Sequence, residues 1–301
     1  KSMRILFMGT PDFAKESLEA VYNAGYEIIG VVTNPDKPKG RGMKMMFTPV
    51  KEFALEKNIP IYQPLKVRNN TEFIEEMKEL NPDVICVVAY GKILPKEILD
   101  IPEKGCINVH GSLLPKYRGA APIQWAVLNG EKTTGVTTMY MDIGMDTGDM
   151  ILKKEVSIGE DETTGELWNR LSKIGGEILV DTLKLIENGK APREKQGEAF
   201  SMAPMLDKQM ARIDWKNKTA EEIKNLVRGL NPIMGAFSMF DNKKIKFWKV
   251  QKLDEKEEYK KLENGTVIMS DNKKGLYIKA KDGIIKVLEI QGENAKRMPI
   301  G

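Results

Sequence analysis

Short β-branched runs alternate with longer helical patterns through the first two thirds of the chain, an order that a doubly wound, mostly parallel α/β sheet accommodates and few other folds do. Residues 4–8 read as a strand, 13–24 as a helix closed by Gly25, and 27–33 as a second strand. Residues 71–80 are helical, 84–88 (VICVV) form an all-apolar strand buried on both faces, and 106–110 lead as a strand into Gly111-Ser112. Residues 133–140 alternate as a further strand, and 163–188 make the longest helical stretch, opened by Thr163, Thr164 and Glu166 as its cap. A sheet of this kind, Rossmann-like in its winding, carries its functional loops at the carboxyl ends of the strands.

Beyond about residue 190 the grammar changes. Ala191-Pro192-Arg193-Glu194-Lys195 is polar, and after a helix near 219–228 come short strands at 237–240, 245–250, 266–269, 276–280 and 284–290. Asp241-Asn242, Asn264-Gly265 and Asp282-Gly283 supply the turns between them. The expected organisation is an α/β domain over 1–190, a linker over 191–205 and a small OB-like β-barrel over 206–301.

Composition removes several kinds of chemistry. One His in 301 residues cannot make a two-His zinc site, and HExxH is absent. Cys86 and Cys106 stand twenty residues apart without a CxxC, a pattern that fits neither a thiolate cage nor a disulfide framework and suits a reducing, cytoplasmic setting. No uninterrupted apolar run approaches about eighteen residues, so a membrane-spanning helix is not expected. Lys1-Ser2-Met3-Arg4 leads into an apolar stretch too short for an export signal. Formal charge is +4, but Lys and Arg number 26 against 29 Asp and Glu over residues 1–200, and 21 against 14 over 201–301. A basic terminal module of net +7 suits a polyanionic partner or a membrane surface, and equally a solvated Lys-rich face.

The first strand ends in Gly9-Thr10-Pro11-Asp12, not in GxGxxG, Pro11 lacks a donor for phosphate, and GxxxxGK[ST] is missing, so NAD, FAD and ATP are not expected. Chemistry should instead gather where 106–110 ends. Asn108 and His110 are two apart on a strand and project from one face, where an amide donor and an imidazole can share a substrate atom. A hydrogen-bonded structural His is the alternative. The loop Asp142-Ile143-Gly144-Met145-Asp146-Thr147-Gly148-Asp149 lacks the ligand spacing of an EF-hand. It reads either as an Asx-rich turn or as a carriage that brings a carboxylate beside His110 to orient its ring or polarise a water. Over 34–49, Lys37, Lys39, Arg41 and Lys44 are interleaved with Gly40 and Gly42, which suits a flexible loop meeting phosphates and also a bare surface loop.

The string NVHGSLLPKYRGAAPI over 108–123, with Asp146 in DxGxDTGD, resembles the signature of the 10-formyltetrahydrofolate-dependent formyltransferases. The stretches 7–13, 35–42, 89–95 and 228–232 extend the likeness along nearly the whole chain, and the members that formylate methionyl-tRNA are the most similar. The resemblance implies that Asn108, His110 and Asp146 are catalytic and that the folate co-substrate lies between the loops 89–95 and 142–149. It implies Ala89, Tyr90, Gly91, Ile93, Ser112, Leu113, Leu114, Pro115 and Asp142 around that folate. Lys37, Lys39, Arg41 and Lys44 would meet the acceptor end of methionyl initiator tRNA, with no metal needed and a monomer expected. Formylation of an amino sugar nucleotide or of glycinamide ribonucleotide is the nearest rival, and a non-catalytic RNA-binding protein the more distant one. The basic loop and basic tail speak against the first, and the intact Asn108, His110 and Asp146 against the second.

Overall fold

The computed structural model describes residues 2–40, 42 and 44–301, and the chain separates into two compact units. The first runs to Pro122 and takes in Thr134–Val156 and Trp168–Ala203; the second gathers Ile123–Thr133, Ser157–Leu167 and Pro204–Gly301. Most of the stretch 191–205 therefore falls within the first unit.

Strands up to residue 157 are β1 (Arg4–Gly9), β2 (Glu27–Val32), β3 (Lys37–Lys39), β4 (Lys44–Met46), β5 (Ile61–Tyr62), β6 (Val84–Val88), β7 (Cys106–His110), β8 (Thr133–Tyr140) and β9 (Met150–Ser157). The helices are α1 (Asp12–Asn23), α2 (Pro49–Glu56), α3 (Thr71–Leu80), α4 (Lys96–Leu99), α5 (Pro122–Leu128) and α6 (Thr164–Glu187). Among the described residues one sheet runs in the order β5-β2-β1-β6-β7-β8-β9, parallel from β5 to β7 and antiparallel between β7 and β8. Every residue of β6 is buried, as a strand covered on both faces requires. Alternate residues Leu6, Met8, Ile85 and Val87 join Phe73, Ile74 and Met77 of α3 in one apolar cluster, where each fully buried side chain contributes about 1.5–3 kcal/mol. The Asn70 side chain caps α3 by accepting from the Phe73 N–H at 3.1 Å, and Asn81 stops it in the left-handed conformation at φ 49°. At the start of α6, Thr163 and Glu166 exchange side-chain-to-backbone bonds at 3.1 Å, the reciprocal cap expected from the sequence.

Parallel pairing brings strand ends into register. Gly9 lies opposite Val88 and Val87 opposite Asn108, so Thr10, Ala89 and the Asn108–His110 stretch meet at one edge of the sheet. Two elements differ from expectation. The basic loop contains a short antiparallel hairpin, β3 with β4, and β9 adds an edge strand whose Lys153, Lys154 and Glu155 are exposed. Charges on an edge discourage pairing with another chain and also erase the apolar alternation that would reveal a strand.

The second unit holds α7 (Ala220–Gly229), then β10 (Ala236–Phe240), β11 (Lys243–Asp254), β12 (Val267–Asp271), β13 (Gly275–Lys279), β14 (Gly283–Gln291) and β15 (Met298–Pro299). Among its described residues the strands form an antiparallel sheet in the order β10-β11-β14-β13-β12, with β15 on β14. Asp241 and Asn242, both at positive φ, make the turn from β10 to β11. Irregular register beside Lys249 lets consecutive Phe247 and Trp248 both turn inward, with Ile223 and Val227 of α7 packing in the same core as Phe247. Lys279, 2% exposed, is accommodated because its Nζ donates to the Ala280 carbonyl at 2.7 Å and to Asn264 Oδ1 at 3.2 Å and faces Glu255 at 3.6 Å.

Candidate active site

Asn108 and His110 sit on β7, two residues apart and on the same face of the strand. Asn108 Nδ2 donates to the Val87 carbonyl of β6 at 3.0 Å. A carbonyl only accepts, so the amide is held with nitrogen toward β6. One N–H remains free for another acceptor, and Oδ1 is buried with no partner among the described residues. His110, 7% exposed, places Nε2 at 2.8 Å from the Tyr117 carbonyl, so that nitrogen carries a proton. Its Nδ1 faces Asp146 Oδ1 at 3.7 Å, too long for a hydrogen bond. A backbone carbonyl thus holds the ring at Nε2, and the carboxylate lies beside the other nitrogen.

Asp146 reaches His110 because the acidic loop is tightly shaped. Asp142 Oδ1 accepts from the Gly144 N–H at 2.9 Å and the Thr147 hydroxyl at 2.8 Å, an Asx-type turn. Asp146 itself has φ +57°, and its Oδ2 accepts from the Gly119 N–H at 2.8 Å. A Cβ on Gly148 would collide with the Tyr140 carbonyl, so the loop's return past β8 needs glycine there. Gly119, at φ +120°, meets the Ala203 carbonyl in the same way, at 2.7 Å from an added Cβ. Both readings of the loop hold together: Asp142 builds the turn, and Asp146 is presented by it.

One family model, described as formyl transferase, matches residues 3–183, and another, described as formyl transferase, C-terminal domain, matches residues 205–301. The chain belongs to the formyl transferase family. A methionyl-tRNA formyltransferase of Clostridioides difficile (strain 630) is 55% identical over 300 residues, covering 99% of this chain and 95% of the relative. One from Caldanaerobacter subterraneus subsp. tengcongensis is 51% identical over 299 residues, again 99% and 95% of the two chains. Among solved structures, the sugar 3N-formyl transferase WlaRD, determined in the presence of dTDP and 5-N-formyl-THF, matches with a TM-score of 0.71 at 22% identity over 95% of this chain and 98% of that one. An N-formyltransferase from Helicobacter canadensis, in complex with folinic acid and dTDP-3-aminofucose, matches at 0.71 and 20% identity over 99% and 100%. At such identities these two speak to the fold alone.

Within this formyltransferase the remaining expected site residues take up distinct tasks. The Tyr90 carbonyl accepts from Asn34 Nδ2 at 2.9 Å and Thr10 Oγ1 at 3.2 Å, which pins the loop beyond β6, where Ala89 and Gly91 both have positive φ. The Tyr90 ring is 2% exposed, and burial pushes its phenol pKa well up. Its hydroxyl and Asn34 Oδ1 are buried without partners among the described residues. Ile93, by contrast, is 68% exposed. Ser112 Oγ donates to the Lys116 carbonyl at 2.6 Å, and Leu114 packs with Met139 and Met150. Leu113 and Pro115 are half-buried beside them. Lys37, Lys39 and Lys44 are exposed on the β3–β4 hairpin, while Arg41 lies outside the described residues.

Contributors missed by sequence reasoning include the Tyr117 carbonyl, Thr10, Asn34 and Gln196, whose Nε2 donates to the Asp146 and Gly148 carbonyls at 2.8 Å. Thr10 and Asn34 follow strand ends and carried a positional signal. Gln196 carried none, lying in a polar stretch far along the chain from everything it holds. Among the described residues no helix is long and apolar enough to cross a membrane, and no group of three or more His, Cys, Asp or Glu is placed to hold a metal ion.

Proposed function

We propose that this chain transfers the formyl group of 10-formyltetrahydrofolate to the α-amino group of methionyl initiator tRNA. The observation that carries the reading is its likeness to methionyl-tRNA formyltransferases across 99% of its length at 51–55% identity. Exposed Ile93, Ile143 and Met145 support a folate between the loops 89–95 and 142–149, as do the Asn108 amide oxygen and the Tyr90 hydroxyl, which have no partner among the described residues.

Bound 10-formyltetrahydrofolate supplies an activated formyl carbon for the amine to attack. Asn108, its amide fixed by Val87, turns its second N–H toward the formyl oxygen as negative charge develops there, and its Oδ1 accepts an N–H of the reacting amine. His110 keeps one proton on Nε2 against Tyr117 and exchanges the other through Nδ1. Asp146 takes the amine proton through a water, and the proton that His110 passes from Nδ1 goes to the folate nitrogen as its bond to the formyl carbon breaks and tetrahydrofolate leaves. No thiol intermediate is needed: Cys86 and Cys106 are buried, and burial pushes the Cys106 thiol up to about 12 and Cys86 higher still, so neither presents a thiolate.

Lys37, Lys39, Arg41 and Lys44 meet the acceptor-stem phosphates, and the module 206–301 adds the larger basic surface. Residues 1–190 carry the chemistry in a cytoplasmic monomer. The decisive assay offers 10-formyltetrahydrofolate with methionyl-tRNA, an amino sugar nucleotide or glycinamide ribonucleotide. Formylated methionyl-tRNA is the expected product, and formylation of either small substrate in its place overturns the reading.

A further inference from the structure

Gln196 lies in the irregular segment between α6 and the second unit, yet every polar group of its side chain is used on the acidic loop or on what braces it. Its Nε2 donates to the Asp146 carbonyl and to the Gly148 carbonyl, both at 2.8 Å, and its Oε1 accepts from Arg118 Nε at 3.0 Å. A carboxamide has two N–H groups, so the nitrogen is saturated and the amide has one possible orientation. A flip would set oxygen against two carbonyls and N–H against N–H.

Arg118 is itself fixed. It is 8% exposed, its guanidinium lies over the Phe200 ring at 4.3 Å, its N–H donates to the Ser201 carbonyl at 2.9 Å, and its carbonyl accepts from the Ala203 N–H at 2.6 Å. Residues 117–119 and 196–203 thus form one braced edge. That edge grips Asp146 twice, at its carboxylate through the Gly119 N–H and at its peptide through Gln196.

Asp146 needs such a grip because φ +57° is a conformation that a non-glycine residue seldom holds without neighbours to fix it. Relaxation toward ordinary backbone angles would swing the carboxylate away from His110 Nδ1. We propose that Gln196, held by Arg118, is a positioning residue that keeps Asp146 facing His110 during formyl transfer. This rests on the reading of Asp146 as the carboxylate that works with His110.

The test compares the full chain with Gln196→Met, which keeps the length and loses the donors, with Gln196→Glu, which sets oxygens against both carbonyls, and with Asp146→Asn. Formylation of methionyl-tRNA is followed together with the imidazole Cε1–H proton resonance, which is unique because the chain has one His. In both Gln196 variants kcat should fall on the order of tenfold to a hundredfold, with KM for either substrate within about twofold. The His110 resonance should move toward its position in Asp146→Asn. Parental kcat with an unmoved resonance in the Gln196 variants, while Asp146→Asn is inactive, overturns the clamp alone. Activity that falls only in step with the folded fraction, with an unmoved resonance, also overturns it. Parental activity in Asp146→Asn overturns the reading of Asp146 and the clamp with it.

Discussion

Residues 106–119 and 34–49 belong to the same unit, yet the first stretch is largely buried while no described residue of β3 or β4 is. Around His110 each of the three side chains is tied to a backbone group: Asn108 to Val87, His110 to Tyr117, Asp146 to Gly119. The hairpin is anchored mainly at its base, where Asp36 accepts from Lys51 at 2.8 Å and from Gln63 at 2.9 Å. The difference suits the proposed tasks. Proton and formyl transfer tolerate displacements of only fractions of an ångström, whereas capture of a phosphate chain works at range and gains from exposed charge.

If that division is right, changes at the buried end should remove turnover and spare binding. His110→Ala or Asp146→Ala should lower kcat by roughly 10² to 10⁴ in single-turnover assays, with an unchanged circular dichroism spectrum. Near-normal rates in either would break the comparison at its strongest point. Asn108→Ala should cost about 2–4 kcal/mol of transition-state stabilisation, measured as the ratio of kcat/KM values, with the loss falling mainly on kcat.

At the exposed end the pattern should invert. Joint replacement of Lys37, Lys39 and Lys44 by Ala should raise KM for tRNA and leave folate affinity unchanged. It should also reduce the slope of log affinity against log salt by roughly one for each phosphate no longer neutralised. Equal loss toward both substrates would instead indicate a disturbed fold. The smallest effect concerns pH. The hydrogen bond from Lys51, and then that from Gln63, hold the Asp36 carboxyl below the usual carboxylate range. A depressed folded value adds stability above the ordinary range that disappears as pH falls through the depressed one. The hairpin base should therefore loosen in acid, and Asp36→Asn should flatten that part of the melting profile between neutral and acid pH.

The legible parts of the molecule were those with local causes. β6 announced itself by an unbroken apolar run, β7 by its run into Gly111-Ser112, and α6 by the Thr163 and Glu166 cap. Asn108 and His110 could be paired because strand periodicity is a local rule. What stayed hidden depends on partners distant in sequence. β3 and β4 are three residues each and read as a charged loop, since their pairing leaves no apolar stripe. Tyr117 contributes through its carbonyl, which every residue possesses and no side-chain pattern advertises. Gln196 acts on carbonyls 48 and 50 residues away.

The carbonyl of Val87 has one further consequence, for how this protein ages. Hydrolysis of the Asn108 amide to a carboxylate removes both N–H donors of that side chain and sets an oxygen against the Val87 carbonyl oxygen. A stored preparation can therefore lose activity one ammonia at a time, and a gain of about 1 Da on the peptide containing Asn108 would be the trace it leaves.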